Sequence, residues 1–238
     1  MSEAVKSEAR PAATVVLLRD SARGPEVLMV RRTRGASFMA DAWVFPGGRV
    51  DSNDGSNDDA FANAAARELR EEAAIAVEPA TLVRFARWIT PSAEPKRFDA
   101  HFFVGVLPAG ADEARHDGAE TVDALWATPR ELLARHGRGE LKLPPPTLCN
   151  LEELAPHADV AAVLAWARVR PFTAIQPKLV PLGATLAIVL PWDPEYPSLP
   201  GEGAPIDPMH PIASPRSRLV LQEGRWWGRM SDGRSPGE

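Results

Sequence analysis

A tight glycine turn followed by a helix with three clustered glutamates constrains this chain more than any other feature. The turn lies in Phe45-Pro46-Gly47-Gly48-Arg49-Val50-Asp51, and the helix carries Arg67-Glu68-Leu69-Arg70-Glu71-Glu72. At 3.6 residues per helical turn, Glu68, Glu71 and Glu72 stand at positions i, i+3 and i+4, so their carboxylates share one patch and repel each other. Such a patch needs a counter-charge. Mg²⁺ prefers oxygen ligands of this kind, often together with the phosphate oxygens of a substrate.

The same glutamates could instead form an ordinary solvated face that Arg67 and Arg70 balance. The apolar side of the helix argues against this alternative. It is a stripe made of Phe61, Ala62, Ala65, Ala66, Leu69 and Ala73, and the glutamates lie along its edge rather than opposite it. Acids at the border of a buried face are typical of a cleft wall. A Gly-Gly pair alone indicates only a turn, but beside such a wall it lets backbone carbonyls approach a metal ion closely.

Together these residues resemble the Nudix hydrolase signature, G-x5-E-x7-R-E-U-x-E-E-x-G-U, in which U is a bulky aliphatic residue. The matching positions are Arg67, Glu68, Leu69, Glu71, Glu72 and Ile75, while Ala74 stands where the family has glycine. The spacing from Gly48 to Arg67 exceeds the pattern, and we expect a loop insertion in the polar stretch 51–58. Three acids are alternatives for the first signature glutamate, namely Asp51, Asp58 and Asp59.

The resemblance implies a role for each matching residue. Glu68 and Glu72 are expected to ligate Mg²⁺ or Mn²⁺ together with the Gly48 carbonyl, and Glu71 is expected to be a further ligand or the base that activates water. Glu68, Glu71 and Arg67 form the expected catalytic group. Arg67 is expected to orient the site through a bidentate bond to a carboxylate, with Asp59 or Asp51 as its partner.

Strand and helix patterns extend the resemblance over residues 13–137. Strands are predicted at 13–18, 26–30, 81–89, 98–107 and 121–127, with a hairpin loop at 20–25, and a helix is predicted to begin at Thr128-Pro129-Arg130-Glu131. The fold class is therefore α/β (α+β), a Nudix-type α/β/α sandwich around a mixed sheet. We predict a flexible N-terminus at 1–10, the Nudix core at 11–140 and an extension at 141–238.

The predicted extension contains helices, a proline-rich loop and a terminal hairpin. Helical apolar spacing covers 147–154 and 160–168, and 12 of the chain's 24 prolines follow residue 170. Strands are still predicted at 185–190 and 218–221, and Glu223-Gly224 turns the second of these into a hairpin with 225–229.

Composition excludes several classes of function. The net charge of -5 provides no general electrostatic footprint for polymeric nucleic acid. One cysteine, Cys149, permits no internal disulfide and no cysteine metal cluster. No secretory signal and no membrane-spanning segment is predicted, and the expected location is the cytoplasm.

The substrate is expected to be a small nucleoside diphosphate derivative. Arg31, Arg32 and Arg97 are candidate phosphate contacts, and for each a solubilising surface charge is the alternative. The long insertion, the Arg31-Arg32-Thr33 stretch and the residues 144–148 resemble the branch related to peroxisomal coenzyme A diphosphatases, which implies coenzyme A or acyl-coenzyme A as substrate. Two alternative hypotheses remain. In the first, the protein is a Nudix-fold sensor that binds a nucleotide without hydrolysing it. In the second, it is an interaction module that forms a homodimer through its C-terminal part.

Overall fold

A computed structural model describes residues 8–33, 35, 39–111 and 121–230, the side chains of residues 229 and 230 excepted. These residues form twelve strands and four α-helices. The strands are β1 (Arg10–Ser21), β2 (Gly24–Arg32), β3 (Trp43–Val44), β4 (Gly47–Arg49), β5 (Val83–Ile89), β6 (Phe98–Val106), β7 (Thr121–Ala127), β8 (Ala174–Ile175), β9 (Lys178–Leu182), β10 (Thr185–Val189), β11 (Arg216–Gln222) and β12 (Arg225–Met230). The helices are α1 (Asp59–Ala73), α2 (Pro129–Gly137), α3 (Pro145–Leu154) and α4 (Val160–Val169).

The first eight strands form one mixed sheet. Its main order is β3-β2-β1-β6-β5-β8, with β4 paired to β1 and β7 paired to β2. The pairs β1–β2, β1–β4, β2–β3 and β2–β7 are antiparallel, and the pair β5–β8 is parallel. The predicted α+β class with a mixed sheet is confirmed. The predicted hairpin loop at 20–25 is shorter than expected, because the β1–β2 ladder continues to the pair Ser21 and Gly24.

Helix α1 covers the sheet with the apolar stripe that the sequence predicts. A buried cluster joins the helix to β1, β2 and β6, and its members are Ala13, Val15, Leu17, Leu28, Ala64, Ala65, Leu69, Ala73, Ile75 and Phe103. Phe61 and Ala62 pack against this cluster as partly buried residues. The burial of this face fixes which side of α1 the glutamates occupy.

The N-terminus of α2 has the predicted cap. The Thr128 hydroxyl accepts a hydrogen bond from the Glu131 N–H at 3.2 Å, and Pro129 occupies the first helical position. This residue combination satisfies a donor that the helix start would otherwise leave without a partner. The predicted helices at 147–154 and 160–168 are also present as α3 and α4.

The C-terminal extension contains more sheet than the sequence predicts. Its predicted terminal hairpin is present as β11 and β12, within a four-stranded antiparallel sheet of order β12-β11-β10-β9. Strand β9, which contains Pro181, was not among the predicted strands. An edge strand accepts a proline, since one side of the strand needs no ladder hydrogen bond.

The described residues divide into two compact units. One lies within residues 12–86 and 101–170, and the other lies within the segments up to residue 11, 87–100 and from 171 onward. The division predicted from sequence at residues 10 and 140 stays a prediction. Among the described residues, no helix is long and apolar enough to cross a membrane.

Candidate active site

The glycine turn lies on β4, which pairs antiparallel with β1. Gly48 faces Ala13 and Gly47 faces Thr14 in this ladder, and the Val15 N–H donates to the Pro46 carbonyl at 2.9 Å. A β-carbon on Gly47 would collide with the Ala13 carbonyl and the Thr14 backbone. The turn therefore packs directly against the sheet, and Gly47 cannot be replaced by a residue with a side chain.

Two glutamates of α1 converge on this turn. The Glu72 carboxylate accepts a hydrogen bond from the Gly47 N–H at 2.9 Å, and a β-carbon on Gly48 would overlap the Glu68 carboxylate. The absence of a side chain at Gly48 is thus what allows Glu68 to reach the backbone of the turn. The predicted juxtaposition of Gly48, Glu68 and Glu72 is present.

Arg67 connects the glutamates to the preceding loop. Its Nη1 donates to Glu68 Oε1 at 2.8 Å and to Glu71 Oε2 at 3.0 Å, while Nη2 donates to the Arg49 carbonyl at 2.9 Å. Nε and Nη2 also donate to the two carboxylate oxygens of Asp54, each at 2.9 Å. One planar guanidinium therefore fixes the loop, the turn and two of the three glutamates relative to each other.

The bidentate partner of Arg67 is Asp54, and the expectation of Asp59 or Asp51 is wrong. Asp59 accepts from the Asn57 side chain, and Asp51 lies 3.9 Å from Arg67 Nη2. Asp54 is only 5% exposed and also accepts from the Asp51 N–H at 2.8 Å. The hydrogen bond from Arg67 holds the pKa of Asp54 below its ordinary value, and the same bond raises the pKa of Arg67.

The sequence contained a signal for Asp54. Five residues separate Gly48 from Asp54, which is the G-x5-E spacing of the signature with aspartate in place of glutamate. Counting backward from Arg67 missed this, because twelve residues separate Asp54 from Arg67 where the signature has seven. The extra residues thus follow Asp54, at the start of α1, rather than preceding it.

The three glutamates differ in exposure. Glu72 is 4% exposed, the Glu68 side chain is 14% exposed and the Glu71 side chain is 52% exposed. Glu72 is fixed within the protein by the Gly47 amide, whereas Glu71 extends into solvent next to Arg67. Glu72 is therefore a buried acid fixed by the backbone, and Glu71 is an acid that solvent can reach.

The donor set suits a hard divalent cation. Glu68 and Glu72 are oxygen ligands beside a turn whose missing β-carbon leaves room for close approach to the backbone, and these are the donors that Mg²⁺ and Mn²⁺ accept. Among the described residues, no group of three or more His, Cys, Asp or Glu side chains is gathered as a ready metal site. Glu68 and Glu71 instead share the guanidinium of Arg67.

The three candidate phosphate contacts have different surroundings. Arg31 donates through Nε and Nη2 to Asp41 Oδ1, at 3.0 and 2.6 Å. The Nε of Arg32 is buried and has no hydrogen-bond partner within the described part of the chain. Arg97 belongs to the other compact unit, where it is 7% exposed and donates to Glu202 Oε2 at 3.3 Å.

Alternation along β2 places Arg32 on the same face of the sheet as α1. Leu28 belongs to the cluster beneath α1, and residues two and four positions further along a strand share its face. Arg32 also pairs with Thr121, whose hydroxyl donates to the Glu72 carbonyl at 3.5 Å. Arg31 precedes Arg32 by one residue in β2, and alternation therefore places it on the opposite face of the sheet.

Comparisons with known proteins agree with this geometry. A family model described as NUDIX domain matches residues 8–145, which is more than half of the chain. The Caenorhabditis elegans protein named "Putative nudix hydrolase 7" is 28% identical over 192 residues, a match that covers 65% of this chain and 63% of the length of that relative. The crystal structure of a NUDIX hydrolase from Alicyclobacillus acidocaldarius is 28% identical with a TM-score of 0.63, covering 71% of this chain and 100% of the other. The chain belongs to the Nudix hydrolase family.

Proposed function

We propose that this protein cleaves a diphosphate linkage in a nucleoside diphosphate derivative with the help of Mg²⁺ or Mn²⁺. The observation that carries the proposal is the convergence of Glu68 and Glu72 on the Gly47-Gly48 backbone. Buried acids are costly unless they are paired or coordinate a cation, and Glu72 has the backbone amide as a hydrogen-bond donor. A diphosphate brings the negative charge that a cation at this position would neutralise.

Glu68, Glu72 and the Gly48 carbonyl are the proposed metal ligands, and Glu71 is either a further ligand or the base that activates water. A divalent cation held there would neutralise phosphate oxygens and lower the pKa of the attacking water. Because Arg67 donates a hydrogen bond to the Glu68 carboxylate, its guanidinium determines the position of this proposed ligand. The residue geometry around Arg67 therefore determines how well the ligands are organised for the reaction.

The proposed chemical roles follow from exposure and hydrogen bonding. Glu71 is the proton acceptor of choice, because its side chain reaches solvent and Arg67 Nη1 fixes its Oε2 at 3.0 Å. Arg67 does not accept a proton, since Asp54 and Glu68 keep its guanidinium charged. Its role is to orient Glu68 and Glu71. Water attacks phosphorus, and the diphosphate bond breaks to give two phosphate-containing products.

Coenzyme A or acyl-coenzyme A is the first substrate to test. The support is the resemblance in the Arg31-Arg32-Thr33 stretch and in residues 144–148. Of the proposed phosphate contacts Arg31, Arg32 and Arg97, Arg32 lies on the α1 side of the sheet and has a buried Nε that a phosphate oxygen would satisfy.

The decisive experiment measures product formation from coenzyme A, acetyl-coenzyme A, ADP-ribose, NADH and dinucleoside polyphosphates. Each is incubated with Mg²⁺, with Mn²⁺ and with chelator. Metal-dependent cleavage of one compound is expected, and Glu72→Gln is expected to lower its turnover by at least about 100-fold. The matched control is Glu78→Gln, which makes the same change at an exposed position beyond α1. Nucleotide binding without turnover in the wild-type protein would favour the sensor instead.

Three further predictions accompany this proposal. They are the cytoplasmic location, a homodimer formed through the C-terminal part, and the division of the chain near residue 140. Analytical ultracentrifugation of the full chain tests the dimer, and a sedimentation coefficient of a monomer at all concentrations would exclude it.

A further inference from the structure

The residues inserted after Asp54 are held in place by a set of contacts that the Nudix signature does not contain. Twelve residues lie between Asp54 and Arg67 where the signature has seven, so an unanchored loop here would leave Asp54 free to move away from Arg67. Two side chains anchor it instead, Asn63 in α1 and Arg84 in β5. Both belong to the same compact unit as the glutamates.

Arg84 attaches the insertion to the sheet. Its Nη1 donates to both carboxylate oxygens of Asp58, at 2.9 and 2.8 Å, and its Nη2 donates to the Asp58 carbonyl at 3.0 Å. The hydrogen bond from Arg84 also holds the pKa of Asp58 below its ordinary value. Three hydrogen bonds from one planar group fix both the side chain and the backbone of Asp58, directly before α1 begins.

Aromatic rings hold the Arg84 guanidinium itself. Its central carbon lies 5.8 Å from the centre of the Phe61 ring and 5.4 Å from that of Phe103. Phe61 in turn stacks on His101, with ring centres 3.7 Å apart. Arg84 thus contacts the insertion, helix α1 and strand β6, and these contacts restrict where its guanidinium can stand.

Asn63 closes the loop from the other side. Its Nδ2 donates to the Asp54 carbonyl at 2.9 Å, so the second turn of α1 holds the residue whose carboxylate binds Arg67. The chain between these two residues contains Gly55, whose φ of 108° is favourable for glycine and allows the sharp turn away from Asp54.

We propose that Arg84 and Asn63 are positioning residues for the reaction at the glutamate site. They hold the insertion so that Asp54 keeps Arg67 in one orientation, and Arg67 then holds Glu68 and Glu71. This inference rests on the proposed diphosphatase function for its kinetic consequences. The alternative is that Arg84 and Asn63 merely stabilise the start of α1, in which case their loss would reduce stability without changing the glutamates.

The experiment compares Arg84→Gln with Arg87→Gln. Arg87 lies on the same strand and also binds one carboxylate through two hydrogen bonds, from Nε and Nη2 to Asp99 at 2.8 and 2.6 Å, but Asp99 lies outside the insertion. With the substrate identified by the panel above, Arg84→Gln is expected to lower kcat roughly tenfold with little change in KM, because misplaced groups reduce the rate of the chemical step. Arg87→Gln is expected to leave kcat unchanged. Arg84→Lys should recover part of the rate, since lysine keeps one of the donors.

A double-mutant cycle shows whether Arg84 acts through Asp54. Asp54→Asn alone is expected to lower kcat by roughly 100-fold, and adding Arg84→Gln should lower it no further, because residues that act as one unit are not additive. Asn63→Ala is expected to behave in the same way in this background. Independent, multiplicative losses would overturn the inference.

Exchange of the Arg67 Nε–H proton provides a readout that needs no substrate. In protein labelled with ¹⁵N-arginine, NMR is expected to show this proton exchanging at least about tenfold faster in Arg84→Gln than in wild type or Arg87→Gln, since its acceptor is Asp54. Unchanged exchange would overturn the inference even in an active enzyme. Faster exchange in a protein that cleaves no diphosphate would keep the positioning role and reject the proposed function.

Discussion

At the scale of single residues, Gly48 links the glycine turn to the glutamates of α1. The Glu68 carboxylate occupies the space that a β-carbon on Gly48 would need, so even alanine must displace it. Because Glu68 is also bonded to Arg67, that displacement would disturb the Glu71 contact as well. Glycine is therefore needed at this position because it leaves space for the Glu68 carboxylate.

We expect Gly48→Ala to abolish metal-dependent turnover while the protein remains folded, because the added methyl group displaces the end of the Glu68 side chain rather than a backbone atom. Steady-state kinetics and circular dichroism check this. Gly137→Ala is the control, since a β-carbon there would meet no other described residue within 4 Å, apart from its chain neighbours and the backbone of its own helix. Wild-type kcat in Gly48→Ala would show that the Glu68 position is not important for the reaction.

At the scale of elements, local chemistry could be predicted and distant pairing could not. The cap at Thr128 depends on neighbours three residues away and follows from the sequence alone. The Asp54–Arg67 pair joins residues 13 positions apart across an insertion, so its register depends on how the loop folds. Strand β9 was missed for a related reason, because whether Pro181 is tolerated depends on its being at a sheet edge.

The end of α1 shows a local cost that a single substitution can remove. Ala74 has a φ of 58° in the left-handed region, where a β-carbon is unfavourable and the family signature has glycine. We expect Ala74→Gly to raise the free energy of unfolding by about 0.5 to 1 kcal/mol. Chemical denaturation measures the change. Ala80→Gly, an exposed position in a 3-10 turn, is the control, and an equal gain there would contradict the explanation.

The loop after β10 depends on a buried lysine. Lys178 is 5% exposed, and its Nζ donates to the carbonyls of Tyr196 and Leu199 at 2.9 and 2.7 Å while lying 4.4 Å from the Tyr196 ring centre. Lys178→Met keeps the apolar stem but leaves both carbonyls without this donor. We expect a loss of about 2 kcal/mol in the free energy of unfolding, whereas Lys142→Met at an exposed site should change it little.

At the scale of the whole molecule, stability depends on aspartates that arginines hold in the charged form. Hydrogen bonds from Arg67 and Arg84 lower the pKa of Asp54 and Asp58. Burial acts to raise the pKa of Asp193, but hydrogen bonds from Arg218, Ser217 and the Glu195 N–H outweigh it and leave that pKa lowered. As pH falls, an aspartate whose pKa is lowered in the folded protein takes up its proton in the unfolded chain before it does so in the folded one. Each of these aspartates therefore contributes its full stabilisation at neutral pH and loses it in acid.

Two other groups modify this pH dependence in opposite directions. Burial lowers the pKa of His157 below 6.5, so the unfolded chain takes up this proton first and stability begins to fall below that pH. Burial raises the pKa of Glu153 above 4.5 in spite of its bond to Arg170, so the folded protein takes up that proton first and gains stability as pH falls. Above about pH 4 the two effects offset each other in part.

We therefore expect the free energy of unfolding to change gently between pH 7 and about pH 4.5 and to fall steeply below pH 4, where the three aspartates become protonated in the unfolded chain. Denaturation in guanidinium chloride at pH 7, 5 and 3.5 measures this. Asp193→Asn is expected to be less stable than wild type at pH 7 and to lose less stability between pH 5 and pH 3.5, because one of the titrating groups has been removed. An equal loss in both proteins would assign the acid sensitivity to other carboxylates and leave Asp193 with a packing role only.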